Sequence, residues 1–517
     1  MMTNPAHDHG PLPRRARTRR LRSTAAGAGA LALAASLTAC TASAEADENG
    51  DGFFDTSTVH TISVDYDEAD YQEMLDAFAE TGDKDWIEAT VTIDGEEYDD
   101  VGLRLKGNSS LRGLSGDGAT ADSDTDTDTD TDTDTAPQPD EGDGSVSADD
   151  PAGLPWLIRL DKYVDGQEHD GRADYVVRGN NSETSLNEAV ALKVLELSDV
   201  QAEQASYARF SVNGSDEQLR LVLDLPDDDL WNEDNYPDEG ITYKADSAGD
   251  WTYRGTDAAD YVDAFEAEYD STGGTDDEAY EPLIEFLDFV NNTTDEEFAE
   301  QLGDYLDVDA FARYLAAQDL VANQDDIDGP GNNAYLHYDV ATGLMTVVAW
   351  DQNLSYGGLG GGGGFGGGRA GEGGMPPEGG PGDGTAPEGM EPPEGMEPPD
   401  GAELPENLDG ADGGTQGGAG RGGGMAGGMG GDNALVTRFL ADDDFAAAYE
   451  SATQELTASV YESGDAQEYL DDLAAMLTDE ASDLVDADTI ASEADDLAAQ
   501  LTGSTDQQTD PASSATS

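Results

Sequence analysis

Apolar and polar residues alternate in two runs, Ile87 to Ile93 and Val101 to Lys106, on either side of Asp94-Gly95. Period-two alternation sends successive side chains to opposite faces of a strand, and Asp-Gly takes the positive φ of a tight turn, so the pattern predicts a β-hairpin. Tyr207 to Val212 and Leu219 to Leu223 repeat it around Asn213-Gly214, and Ala334 to Tyr338 and Leu344 to Trp350 repeat it around Thr342-Gly343. Elsewhere apolar residues recur three and four positions apart. That spacing predicts helices over Ser185 to Leu197, Leu283 to Val290, Asp295 to Leu306 and Asp309 to Asn323. From about Leu435 to Leu501 the chain reads as helical throughout. A sheet-rich first part followed by a helix-rich second part predicts an α+β architecture with two lobes.

Other stretches carry no such pattern. Residues 114–153 are rich in Gly, Asp and Thr, with successive Asp-Thr pairs from Asp124 to Thr135; like charges at that density predict a solvated, extended insert. Residues 357–432 begin as polyglycine and pass into Pro-Pro-Glu-Gly-Met repeats, a composition that predicts disorder, and residues 503–517 read as a disordered tail. The N-terminal residues 1–39 have the form of a signal peptide, with six arginines from Arg14 to Arg22 ahead of a short apolar run, Ala25 to Ser36. Leu37-Thr38-Ala39-Cys40 resembles a bacterial lipobox. Cys40 is the only cysteine, and its place at the predicted cleavage point makes it the expected lipidation site, with residues 40–54 as a tether. The expected location is extracytoplasmic, with a lipid anchor in the outer face of the cytoplasmic membrane.

Charge narrows the partners. The 517 residues include 23 Lys and Arg against 114 Asp and Glu, a formal net charge of -91, which argues against nucleic acid as a partner.

The densest cluster of chemistry-bearing residues runs from Asn323 to Asn333, Asn-Gln-Asp-Asp-Ile-Asp-Gly-Pro-Gly-Asn-Asn, between a predicted helix and a predicted hairpin. The same hairpin ends in Trp350-Asp351-Gln352-Asn353. A hairpin brings its two outer ends together, so the two acidic loops are expected to converge. Their carboxylate and amide oxygens suit Mg²⁺, a hard cation often shared with phosphates.

These residues carry a resemblance. Asp325 to Tyr338 followed by Val347 to Gly357 is similar to the catalytic and metal-binding segments of the spore-coat CotH family of secreted atypical protein kinases. Val101 to Ser110, Ile158 to Gln167 and Gly240 to Asp246 resemble further segments of that family in the same order, over roughly residues 55–356, with 433–502 as the C-terminal helical part. The resemblance implies a divergent two-lobed protein-kinase-like fold and transfer of the ATP γ-phosphate to serine or threonine of exported proteins, with ATP and Mg²⁺ or Mn²⁺ as cofactors. It implies Asp328 as the acid that accepts the hydroxyl proton, with Asp326 as rival. It implies Asp351 as metal ligand and Asn333 as a second ligand or positioning residue.

Phosphate contacts need cations. Lys106 and Lys162 are the candidates for the nucleotide-phosphate lysine, with Arg104 and Arg159 on the same strands, and Glu188 stands where such a lysine's partner would be. Glu188 has a structural alternative as the last residue of a capping box, Ser185-Leu-Asn-Glu188. His337 alternates within a strand and is expected to be packed or exposed. The competing function is a pseudokinase or acidic surface scaffold that binds envelope proteins or cations.

Overall fold

A computed structural model describes residues 52–107, 109–114, 146–245, 251–323, 325–328, 333–357 and 433–508. The expected signal peptide, Cys40 and most of the tether, the Asp-Thr pairs, the Gly/Pro-rich stretch from 358 and the final residues lie outside the described residues.

The expected α+β class holds. Seven strands close into a barrel: β1 (Val59–Tyr66), β2 (Ile87–Ile93), β3 (Glu96–Leu105), β4 (Trp156–Arg159), β5 (Asp174–Val177), β6 (Ala205–Val212) and β7 (Gln218–Leu223), in the order β1-β2-β3-β4-β5-β7-β6. Parallel pairing of β1 with β6, Ile62 opposite Phe210, closes the ring. The β2–β3 hairpin turns at Asp94 and Gly95, φ 48° and 85°, the positive pair that the Asp-Gly dipeptide favours. The interior is filled by Trp156, Tyr175, Phe210, Val91 and Leu103, and helix α1 (Glu68–Thr81) adds Tyr71, Met74 and Phe78 to this core.

A second sheet, ordered β11-β10-β8-β9, is built from β8 (Gly240–Ala245), β9 (Phe265–Asp270), β10 (Ala334–Asp339) and β11 (Leu344–Ala349). Helix α2 (Leu186–Leu197) lies between this sheet's core and the outer face of the barrel, where Leu157, Val176 and Leu221 point outward into the same hydrophobic cluster. Around them pack α3 (Asp229–Asn235), α4 (Asp276–Ala279), α5 (Glu281–Asn292), α6 (Asp295–Gln301) and α7 (Val308–Leu320). The C-terminal block is α8 (Ala434–Ala441), α9 (Asp443–Leu456), α10 (Asp465–Glu480) and α11 (Ala487–Gln508). None of these helices is long and apolar enough to cross a membrane, among the described residues.

The end of the expected Asp/Thr insert departs from the sequence reading. Residues 146–153 are tied to the domain, with Ser147 to Asp150 exposed and Ala152 buried, although their composition predicts a solvated stretch. Ala152 is buried, Tyr71 Oη donates to the Ala148 carbonyl at 2.9 Å, and Trp156 Nε1 donates to the Pro151 carbonyl at 2.8 Å. Neighbours distant in sequence supply these contacts, and composition does not register them. Helix α11 likewise runs to Gln508, past the start of the expected tail.

Candidate active site

The two acidic loops do converge. Ala334 pairs with Ala349 at the open end of the β10–β11 hairpin, so residues 325–333 and 350–356 leave the sheet side by side. Asn333 Nδ2 donates to Asp325 Oδ2 at 2.8 Å. Burial, and then repulsion from the Asp351 carboxylate, push the Asp325 carboxyl above its usual range, while the Asn333 bond acts in the opposite direction. Asp325 is therefore within electrostatic range of Asp351, a position the sequence reading did not single out from its neighbours. Asp326 is buried, and its Oδ1 accepts the Asp328 backbone N–H at 3.0 Å. Asp328 is exposed.

Asp351 sits just beyond β11 with φ 57°, in the left-handed region that few non-glycine residues adopt without support. Support comes from two sides. Its backbone N–H donates to Glu203 Oε1 at 3.1 Å, and its carboxylate is ion-paired with Arg178 Nη2. Burial pushes the Glu203 carboxyl up to about 8.

Arg178 follows β5 and is held by the barrel. Its N–H donates to the Leu221 carbonyl at 2.9 Å, and its own carbonyl accepts from Nε of the buried Arg220 at 2.9 Å. The guanidinium then bridges two carboxylates. Nη2 lies 3.0 Å from Glu188 Oε1, and Nε donates to Glu188 Oε2 at 3.2 Å, while Nη2 also reaches Asp351. Glu188 is 2% exposed on a helix buried on every side, where an unpaired charge costs several kcal/mol, so it requires this partner. Burial favours the neutral acid and Arg178 favours the carboxylate.

The capping-box alternative does not form: Ser185 has φ 54° and its side chain makes no cap bond. Glu188 is in an ion pair, and its partner is Arg178 rather than Lys106 or Lys162. Asn187, next along α2, donates through Nδ2 to the carbonyls of Asn353 at 2.8 Å and Ser355 at 3.2 Å. Two adjacent residues of α2 thus hold both ends of the loop that starts at Asp351.

The predicted cations divide into two groups. Lys106 Nζ lies 5.4 Å from the Trp350 ring centroid and 3.9 Å from Asp227 Oδ2. Lys244, on β8, approaches the same ring at 5.9 Å and the Tyr335 ring at 4.8 Å. Tyr335 Oη donates to Asp227 Oδ1 at 2.6 Å. Nearby Glu268 is pushed up to about 8 by burial and then by Asp227. Lys106 therefore stands beside the residue that precedes Asp351, together with a lysine that the sequence reading passed over.

Arg104, Arg159 and Lys162 gather instead around Trp86, at 4.6, 5.5 and 4.7 Å from its ring. Arg159 is ion-paired with Asp174. Burial, and then the neighbouring Arg159, lower the pKa values of both Arg104 and Lys162, which is the mark of cations crowded together. His337 is packed: it stacks on Tyr236 with centroids 3.5 Å apart, and burial lowers its pKa to about 4.

No three His, Cys, Asp or Glu side chains converge at metal-ligand spacing among the described residues. Asp325, Asp351 and Asn333 nevertheless form an oxygen donor set in which two carboxylates repel each other. A hard cation relieves that repulsion, and Mg²⁺ needs only one or two carboxylates when water and phosphate oxygens complete its shell, so the residues fit. Arg178 and Glu203 could not be found from spacing, since one lies at a strand end and the other in a loop far from both acidic segments. A lone arginine after an apolar strand in so acidic a chain was the available signal.

The family whose description reads "CotH kinase protein" matches residues 154–503. The inner spore coat protein H of Bacillus subtilis (strain 168) is 24% identical over 154 residues, which cover 30% of this chain and 41% of that protein's length.

Proposed function

This chain belongs to the CotH kinase family, and from that premise we propose that it transfers the γ-phosphate of ATP to serine or threonine hydroxyls of exported or cell-surface proteins. The observation that carries the reading is the convergence of the loops that bear Asp325 and Asp351 at the open end of the β10–β11 hairpin, with Lys106 and Lys244 against Trp350 beside them. Oxygen donors for a cation next to paired cations for phosphate are what phosphoryl transfer requires.

In this reading Lys106 and Lys244 contact the nucleotide phosphates, and Asp325, Asp351 and Asn333 would hold Mg²⁺ or Mn²⁺. The metal, when bound, neutralises charge on the phosphate oxygens. Asp328, exposed where a protein hydroxyl can reach it, accepts the hydroxyl proton, with Asp326 as the rival base. The hydroxyl oxygen forms its bond to the γ-phosphorus, the bond to the β–γ bridging oxygen breaks, and ADP leaves. Arg178 has the task of orientation, fixing Asp351 against Glu188 and α2. Arg104, Arg159 and Lys162, gathered on Trp86, are a second group of cations that the nucleotide could meet.

The relative's name places that protein in the spore coat, and an extracytoplasmic site with a lipid anchor at Cys40 is the matching proposal here. A second reading has one observation in its favour: Arg178 already neutralises Asp351, as it would in a pseudokinase that serves as an acidic surface scaffold. Incubating the soluble chain from residue 41 with γ-labelled ATP and Mg²⁺ or Mn²⁺, beside Asp351→Ala and Asp328→Ala, separates the two. Label incorporation that both substitutions abolish supports the kinase, and none in any of the three supports the scaffold.

A further inference from the structure

Helix α2 carries Asn187 and Glu188, and its first turn lacks a cap of its own because the Ser185 side chain turns away. The donors of that turn and of the loop before it are gathered elsewhere. Glu493, on α11, accepts from Ser182 Oγ at 3.0 Å, from the Glu183 N–H at 3.1 Å and from the Thr184 N–H at 3.1 Å, and it also accepts from Thr184 Oγ1. Two hydroxyls pass the contact inward: Thr184 Oγ1 accepts the Leu186 N–H at 3.3 Å, and Ser182 Oγ accepts the Ser185 N–H at 3.0 Å. One carboxylate, more than three hundred residues away in sequence, thus anchors the loop that leads into α2, and its negative charge lies at the favourable end of the helix dipole.

We propose that Glu493 is a positioning residue for the active site: through Thr184 and Ser182 the C-terminal helix fixes the start of α2, and thereby the Glu188–Arg178–Asp351 ion pairs. Its effect on phosphate transfer rests on the kinase reading, while its effect on α2 does not.

The polypeptide offers its own comparison. Glu480, at the end of α10, accepts from the Val59 N–H at 2.8 Å and from Thr58 Oγ1 at 3.0 Å, tying the same helical block to the barrel at β1 instead of at the entry to α2. Hydrogen–deuterium exchange on the soluble chain from residue 41 compares Glu493→Gln, Thr184→Val and Glu480→Gln. In both Glu493→Gln and Thr184→Val, amides of residues 183–190 are expected to exchange about tenfold faster, because the hydrogen bonds that hold the entry to α2 are weakened. Glu480→Gln is expected to leave those amides at the wild-type rate.

Where phosphate transfer is measurable, Glu493→Gln lowers kcat with little change in the KM for ATP, because the lysines that contact the phosphates are not on α2. Wild-type exchange over 183–190 in both Glu493→Gln and Thr184→Val would overturn the proposal, as would equal acceleration in Glu480→Gln. If the wild type transfers no phosphate, the kinase reading fails and the exchange result still decides the role of Glu493.

Discussion

Replacing Arg178 by methionine keeps much of the side-chain volume and removes the charge that two carboxylates share. Asp351 is 25% exposed at its side chain and can turn to water, whereas the Glu188 side chain is 3% exposed and cannot. Breaking a buried pair by removing one partner costs about 3–5 kcal/mol, because the other charge stays buried or must take up a proton. In a chain of this size that corresponds to roughly 3–6 °C in the unfolding midpoint. The double variant Arg178→Met with Glu188→Gln removes the stranded charge as well, so about half of the loss is expected to return, a coupling of about 2 kcal/mol. Calorimetry of the two single variants and the double variant measures this directly. A double variant as unstable as the sum of the singles would refute the claim that Glu188 depends on Arg178.

Other consequences can be checked separately. Glu203 has a folded pKa of about 8 against 4.5 unfolded, so the folded state holds the extra proton. Its contribution to stability is complete below pH 4.5 and is lost as pH rises toward 8, on the order of 1.4 kcal/mol per pH unit in between. Glu203→Gln, which cannot ionise, should flatten that part of a denaturant-derived stability profile, and an unchanged slope would count against a buried proton. At Gly102 an added Cβ would lie 2.6 Å from the Lys162 Cβ and 3.0 Å from the Trp86 ring. Gly102→Ala should therefore cost about 1–3 kcal/mol in chemical denaturation and disturb the cation cluster on Trp86; wild-type stability would mean that Lys162 moves aside freely.

Local signals in the sequence carried much of the fold. The Asp94-Gly95 and Asn213-Gly214 hairpins formed where alternation and turn chemistry agreed, and so did α2 and α7, whose apolar spacing is regular. Barrel closure was not legible, because β1 pairs with β6 across more than a hundred residues and neither strand states its partner. The convergence of the two acidic loops was legible from the hairpin between them. The register within the first loop was not, since three aspartates within four positions look alike until burial separates Asp325 and Asp326 from the exposed Asp328. Glu188 was legible as a candidate, but its partner was not. That partner is Arg178, an arginine whose position depends on the strand order around the barrel.

Among these, Asp325 and Asp351 bear most directly on the account. The decisive measurement is γ-phosphate transfer to serine or threonine by the soluble chain from residue 41, with Asp325→Asn and Asp351→Asn assayed beside it under Mg²⁺ and Mn²⁺. The account predicts transfer by the wild type and a loss of at least about a hundredfold in each variant, the scale expected when groups that stabilise transition-state charge are removed. Transfer that persists at the wild-type rate in both variants would contradict it.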